Sequence, residues 1–196
     1  MHERLLQQIA FLVEADKLKG IVRRTPLVDR SRLENSAEHS WHLALTMMVL
    51  REYGPAALDW MRVIEMVTVH DLVEVDAGDV SAYDLAGLEG KAVREQAAAE
   101  RIFGLLPPDE GARFRQLWEE FELQSTPEAR FANALDRLQP LLQNAHAGGG
   151  SWCGQALARA QILDRMTPIE ASLPDVWPHV LDIIESFCAA GVLKRD

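Results

Sequence analysis

The sequence predicts an all-α fold, a helical bundle, and three observations carry that expectation. Apolar residues recur at helical spacing, as in Leu5, Leu6, Ile9, Leu12 and Val13 and again in Phe131, Leu135, Leu138 and Leu142. Start and stop signals bracket those segments: Asn35-Ser36 and Thr126-Pro127 open helices, and Gly20 and Gly104 close them. No stretch carries a convincing strand pattern, and no repeat or low-complexity segment interrupts the chain.

The elements follow in order. Residues 2–18 form the first amphipathic helix. From Lys17 to Arg32 there are six basic residues against one acidic, the one clearly positive segment of an acidic chain, and Pro26 marks it as an extended or turning connection. Arginine forks match phosphate or carboxylate, so this segment is either an anion site or a solvated basic loop. A second helix begins at Asn35-Ser36, holds His39 in its first turn with His42 one turn on, and breaks at Gly54-Pro55. A third spans 56–73, followed by a loop over Val75–Val80. Residues 88–104 form the next helix, with Lys91, Arg94 and Glu95 on its polar face. Asp109–Phe121 form another, and Glu119, Glu120 and Glu122 read as a solvated face. The helix opened by Thr126 meets Pro140, which cannot donate to the Asp136 carbonyl and is expected to kink or end it. Gly148-Gly149-Gly150 is a loop without the Gly-Lys-Ser/Thr of a phosphate-cradling turn. Helices over 151–166 and 178–191 close the chain.

Composition bounds the function. With 196 residues, 48% hydrophobic and 26% charged, the chain suits a single domain over 1–196 with a sizeable core. A net charge of −10 argues against nucleic-acid polymers and anionic membranes as partners, though a small anion at a local positive site stays open. Cys153 and Cys188 are the only cysteines and form no C-x-x-C pattern, which suits a reducing cytoplasm and excludes a disulfide scaffold or a cysteine-rich zinc site. The charged Met1-His2-Glu3-Arg4 and the polar breaks at Gln7, Gln8, Glu14 and Asp16 fit neither a signal peptide nor a membrane span.

The chemistry concentrates at His70-Asp71-Leu72-Val73-Glu74. On a helix Val63, Ile64, Val67, His70, Asp71 and Glu74 share one broad face, so a packing face ends in three ionisable side chains. Buried charge is costly unless paired or bound to a metal. The competing reading is a His-Asp pair capping a helix end in solvent. His39, His70-Asp71 and Asp136 together form an H…HD…D set on three predicted helices, and Glu74, Asp76 and Asp79 add carboxylates.

That set, with Glu34-Asn35-Ser36-Ala37-Glu38-His39-Ser40, Gly78-Asp79-Val80 and Ala134-Leu135-Asp136-Arg137-Leu138 around it, resembles the HD-domain metal-dependent phosphohydrolases. Within them it is most similar to the 5′-deoxynucleotidase family, nearer the HD domain-containing protein 2 branch than the bacterial YfbR-like one. The similarity runs from about residue 10 to 155 and includes Arg24-x-Pro26-Leu27 and Gly150-Ser151-Trp152. The resemblance implies an HD-domain bundle in which His39, His70, Asp71 and Asp136 bind a divalent cation. Two imidazoles and two carboxylates suit Mn, Co, Fe, Mg or Zn. It implies a second cation at Glu74, Asp79 and the Val80 carbonyl, or else Glu74 acting directly as a general base. The implied reaction is hydrolysis of nucleoside 5′-monophosphates, with Glu74 and Asp79 handling protons and Arg24 binding the phosphate. The bacterial branch has Trp after that arginine, where this chain has Thr25, which leaves deoxy against ribo selectivity open. A homodimer is implied by resemblance alone. The alternatives are another HD phosphohydrolase substrate, such as a different nucleotide or phosphomonoester, or a non-catalytic helical protein that binds metal or nucleotide.

Overall fold

The computed structural model describes residues 2–195, and the all-α expectation holds. The helices are α1 (His2–Ala15), α2 (Ser36–Leu50), α3 (Trp60–Val69), α4 (Glu74–Ala77), α5 (Leu85–Leu88), α6 (Lys91–Phe103), α7 (Pro108–Leu123), α8 (Pro127–His146), α9 (Arg159–Ser172) and α10 (Trp177–Ala189). The axis of the bundle is α8, which packs against α2, α3, α7 and α9. Its stripe of Phe131, Leu135 and Leu138 is fully buried, and Ala129, Ala132 and Ala134 are buried too, so the helix is enclosed on several sides.

Of the two outcomes expected at Pro140, a kink or an end, that enclosure rules out the end. The helix neither ends nor breaks there but continues to His146. Proline removes one intrahelical hydrogen bond, and burial of Leu138 and Leu141 on either side holds the helical path regardless.

The caps act as the sequence suggests. Asn35 Oδ1 accepts from the Glu38 amide at 3.0 Å, and the Glu38 carboxylate accepts from the Asn35 amide at 3.1 Å. This box fixes the start of α2 and sets His39 in its first turn. Thr126 Oγ1 accepts from the Ala129 amide at 3.1 Å and starts α8. Asp59 caps α3, so the helix expected over 56–73 starts four residues later and ends at Val69. Beyond it the chain tightens into a 3₁₀ turn, His70–Val73, and α4 occupies the first part of the expected loop until Gly78 turns out at φ 73°. The helix expected from 151 begins only at Arg159, after a 3₁₀ turn Gly150–Trp152 that buries the Trp152 ring.

The basic segment is extended and then turning, as expected, but its ends pair as a hairpin that the sequence did not show. Val22–Pro26 (β1) pairs antiparallel with Leu33–Asn35 (β2), with a register irregularity between Val22 and Pro26. A three-residue strand opposite one that ends in proline is too short for an alternation signal.

Two further expectations change. In α1 the stripe Leu5, Leu6, Ile9, Leu12 and Val13 faces outward, and Phe11 is the buried residue of that helix. Trp41, Leu45, Met48 and Val49 of α2 are likewise exposed. Glu120, expected in solvent, is buried between α3 and α7, where it pairs with Arg62 and accepts from Thr126 Oγ1. Among the described residues no helix is long and apolar enough to cross a membrane.

The two neighbouring glutamates should therefore separate in a stability measurement. Glu120→Ala is expected to cost about 2 kcal/mol in denaturant unfolding, the range of hydrogen bonds to a charged group. Glu119→Ala, whose exposed carboxylate meets Arg115 on the same helix, should stay within about 0.5 kcal/mol. Burial pushes the Glu120 carboxyl up, but Arg62 and Thr126 outweigh it and hold its pKa below the usual range. The gap between wild type and Glu120→Ala should thus be full above the ordinary glutamate pKa and narrow as pH falls through the lowered one.

Candidate metal centre and cleft

Three separate elements deliver three potential metal ligands to one point. His39 comes from α2, His70 from the 3₁₀ turn after α3, and Asp136 from the middle of α8. One ligand atom from each lies within 4.8 Å of the others. The ring of His39 is completely buried, and that of His70 is packed against Phe121 at 4.7 Å between centroids.

Hydrogen bonds decide which imidazole nitrogen faces the centre. Gln139 Nε2 lies 3.2 Å from Glu34 Oε1 and 2.9 Å from His42 Nδ1, which uses both amide hydrogens and leaves Gln139 Oε1 as an acceptor. His39 Nδ1, 2.8 Å from that oxygen, therefore carries a hydrogen and donates it. His70 Nδ1 likewise donates to the Val67 carbonyl at 2.9 Å. Both Nε2 atoms are left with lone pairs turned to the centre. His39 Nε2 stands 2.9 Å from Asp136 Oδ1, and His70 Nε2 stands 3.0 Å from Asp71 Oδ1 and 3.7 Å from Asp136 Oδ1. His70 Nε2 is fully buried and makes no properly aligned hydrogen bond. Lone pairs at such distances repel unless a cation lies between them, a proton or a metal ion. The donor set fits a divalent cation.

The titration behaviour has the same cause. Burial opposes charge on His70, but Asp71 and Asp136 overcome it and hold its pKa well above the usual imidazole value. Burial would raise the Asp136 carboxyl, yet His39 and His70 hold it well below its usual range. Asp71 is lowered against its burial by His70 and then Arg23. Protons and a divalent cation would compete for these same lone pairs.

The remaining predicted residues surround this centre. Asp71 lies alongside it, with Oδ2 3.9 Å from His39 Nε2 and 3.1 Å from Arg23 Nη1. Glu74, at the start of α4, is buried and accepts from Ser36 Oγ at 2.6 Å; burial and the charge of Asp71 push its carboxyl well up. Burial also raises Asp79, with Arg23 opposing. Val80 lines the adjoining cavity. His42 does not join the cluster; its Nδ1 is taken by Gln139. Asp76 pairs with Arg101 on α6, away from the ligands. Lys91 and Glu95 pair at 2.7 Å and, with Glu122, line the same cavity instead of forming a solvated face.

The arginine of the basic segment that reaches the ligands is Arg23. Its side chain is 13% exposed and lies 3.1 Å from Asp71, 3.5 Å from Glu34 and 3.8 Å from Asp79. Arg24 is 58% exposed and pairs with Asp84 at 3.1 Å, and together with buried Thr25 it borders the cleft. Sequence reasoning passed over Gln139, and it quoted Glu34, Ser36 and Arg137 in the flanking motifs without giving them a place in the site, where Arg137 pairs with Asp136 Oδ2. Strand parity would have separated Arg23 from Arg24 had the hairpin been recognised.

Comparison with known proteins gives these positions a context. The HD-domain family profile matches residues 15–177. Human 5′-deoxynucleotidase HDDC2 is 32% identical over 137 residues, which is 67% of this chain but 66% of that protein's length. The mouse 5′-deoxynucleotidase HDDC2 is 36% identical over 137 residues, 69% of this chain and 67% of its own. A crystal structure described as a predicted metal-dependent phosphohydrolase from Magnetospirillum magnetotacticum superposes with a TM-score of 0.91 at 44% identity, covering 97% of this chain and 98% of that one. A conserved hypothetical protein from Pyrococcus furiosus, at 20% identity and a TM-score of 0.60, shares the fold. A profile match over most of its length, with a near-complete structural match beside it, shows that this chain belongs to the HD-domain family.

Proposed function

We propose that this protein is a metal-dependent phosphomonoesterase that hydrolyses nucleoside 5′-monophosphates, deoxynucleotides among them, to nucleoside and phosphate. The observation that carries the reading is the convergence of two buried imidazole Nε2 atoms and the Asp136 carboxylate within 4.8 Å, with His70 Nε2 lacking an aligned hydrogen bond. The names of the 5′-deoxynucleotidase relatives support the substrate class.

In this reading His39, His70, Asp71 and Asp136 hold the cation. A divalent cation bound there lowers the pKa of water and offsets charge on a phosphoryl oxygen. Glu74 takes the proton of the attacking water and returns it toward the departing 5′-oxygen, a role suited to a carboxyl whose proton affinity is raised by burial and by the charge of Asp71. Ser36 holds one Glu74 oxygen in place for that transfer. Asp79 assists; in the alternative arrangement Glu74, Asp79 and the Val80 carbonyl hold a second cation and Glu74 is not the base. Arg24 leaves Asp84 to meet the phosphate, while Thr25 packs near the sugar in place of a larger ring. We place the protein in the cytoplasm as a homodimer, the exposed apolar faces of α1 and α2 supporting that assembly.

Three outcomes test the assignment. Phosphate release from dNMPs and NMPs by metal-stripped protein should return when Mn²⁺, Co²⁺, Mg²⁺, Fe²⁺ or Zn²⁺ is added singly. Asp71→Ala should bring it to background with loss of bound metal, and unchanged metal stoichiometry would sink the ligand assignment. Gln139→Leu should weaken metal binding roughly 10- to 100-fold, the usual effect of removing a partner that orients a ligating histidine. A metal titration with undiminished affinity would discard the orienting role. Arg24→Ala should raise KM for the monophosphate with metal content intact, and unaltered turnover at low substrate would remove Arg24 from the phosphate site.

A further inference from the structure

Three adjoining cavities of about 100, 190 and 370 Å³ share two residues of like charge, Arg137 of α8 and Arg165 of α9. Their situations differ. Arg137 is committed to Asp136 Oδ2. Arg165 is half-buried and has neither an ion pair nor a hydrogen bond among the described residues. The other cationic groups around the centre are engaged: Arg23 with Asp71, Glu34 and Asp79, Arg24 with Asp84, and Lys91 with Glu95. Packing an unmatched guanidinium beside a second one costs stability, since desolvation and repulsion act together. Burial and Arg137 accordingly lower its pKa, with the charge of Asp136 opposing. A guanidinium remains charged despite such a shift, so it presents an uncommitted donor fork to whatever anion enters the cleft.

We infer that Arg165 is a fixed phosphate-binding residue, a guanidinium supplied by α9 to the cleft that also contains Asp136, for the oxyanion of a phosphomonoester or of released orthophosphate. Its planar fork can donate two parallel hydrogen bonds to two oxygens of one phosphate. The inference builds on the phosphomonoesterase reading of the same cleft but names a residue outside the stretch, about 10–155, that carries the sequence resemblance.

The test is calorimetric titration of Mn²⁺-loaded wild type, Arg165→Gln and Arg165→Lys at constant ionic strength. Inorganic phosphate and deoxyadenosine are titrated directly, and for dAMP, which the loaded enzyme consumes, the KM of phosphate release is read in place of binding heat. Arg165→Gln should weaken phosphate binding and raise the KM for dAMP roughly 10- to 100-fold, as expected for loss of a charge-assisted contact, and leave deoxyadenosine and bound metal unchanged. Arg165→Lys should recover part of the loss. Without ligand, Arg165→Gln should melt no lower than wild type, because the charge it removes is unmatched. Loss for dAMP with orthophosphate unaffected would assign the residue to the bound substrate, and loss for both would include the product. Unchanged phosphate affinity and dAMP KM in folded, metal-loaded Arg165→Gln would overturn the inference, as would an equal loss for deoxyadenosine. If wild type binds phosphate through Arg165 but releases none from any monophosphate, the catalytic reading falls and the anion site stands.

Discussion

The structure depends on a contact that is repulsive until a cation enters it. His39 Nε2 and Asp136 Oδ1 are 2.9 Å apart, and the hydrogen of His39 is held on the other ring nitrogen by Gln139. Two acceptors are thus pressed together inside a packed core, with His70 Nε2 beside them. Left unmatched, such groups cost several kcal/mol. The bundle tolerates them because α2, α3 and α8 are locked by apolar contacts around Leu43, Val67 and Leu135, each fully buried. Apolar packing supplies the rigidity, and the ligand cluster uses it to hold a geometry that the ligands alone would abandon. Cation binding and folding are consequently linked, since ions that bind the assembled cluster stabilise the state in which it exists.

The second constraint is charge. Glu34, Asp71 and Glu74 are buried around the cluster, and Asp79 and Asp136 are partly so. One short hairpin answers much of this: β1 threads Arg23 among Glu34, Asp71 and Asp79, so one guanidinium faces three acids. An arginine suits that position because its planar fork reaches several carboxylates and stays charged when desolvated. Buried amides finish the arrangement, with Gln139 and Gln143 both donating to Glu34 Oε1. The acidic balance of the whole chain therefore says little about this cleft, whose walls combine buried acids with a concentration of guanidinium groups.

Much of the helical architecture was legible because its signals are local. A capping box lies within a few residues, and so does the spacing of Phe131, Leu135 and Leu138. The misreadings share one cause, which is that the deciding partner lies far along the chain. Pro140 left a helix end open as an outcome because the packing around α8 comes from other helices. Glu120 looked solvated because Arg62 is on another helix. The apolar stripe of α1 looked core-facing because periodicity cannot say whether anything covers a face. The hairpin escaped notice because its pairing joins strands too short to show a pattern.

The sequence by itself determined the helical class, the main caps, and the identity of His39, His70, Asp71 and Asp136 as a set worth bringing together. The class and the caps are properties of residue type and local spacing, and the set was carried by its resemblance to the HD-domain phosphohydrolases. Only the tertiary structure decided that Arg23 and not Arg24 reaches the ligands, that Gln139 sets the His39 tautomer, and that Arg165 faces the cleft without an ion pair among the described residues. Long polar side chains have no fixed direction in a sequence. Their partners are chosen by burial, which charges only those groups that distant elements remove from water.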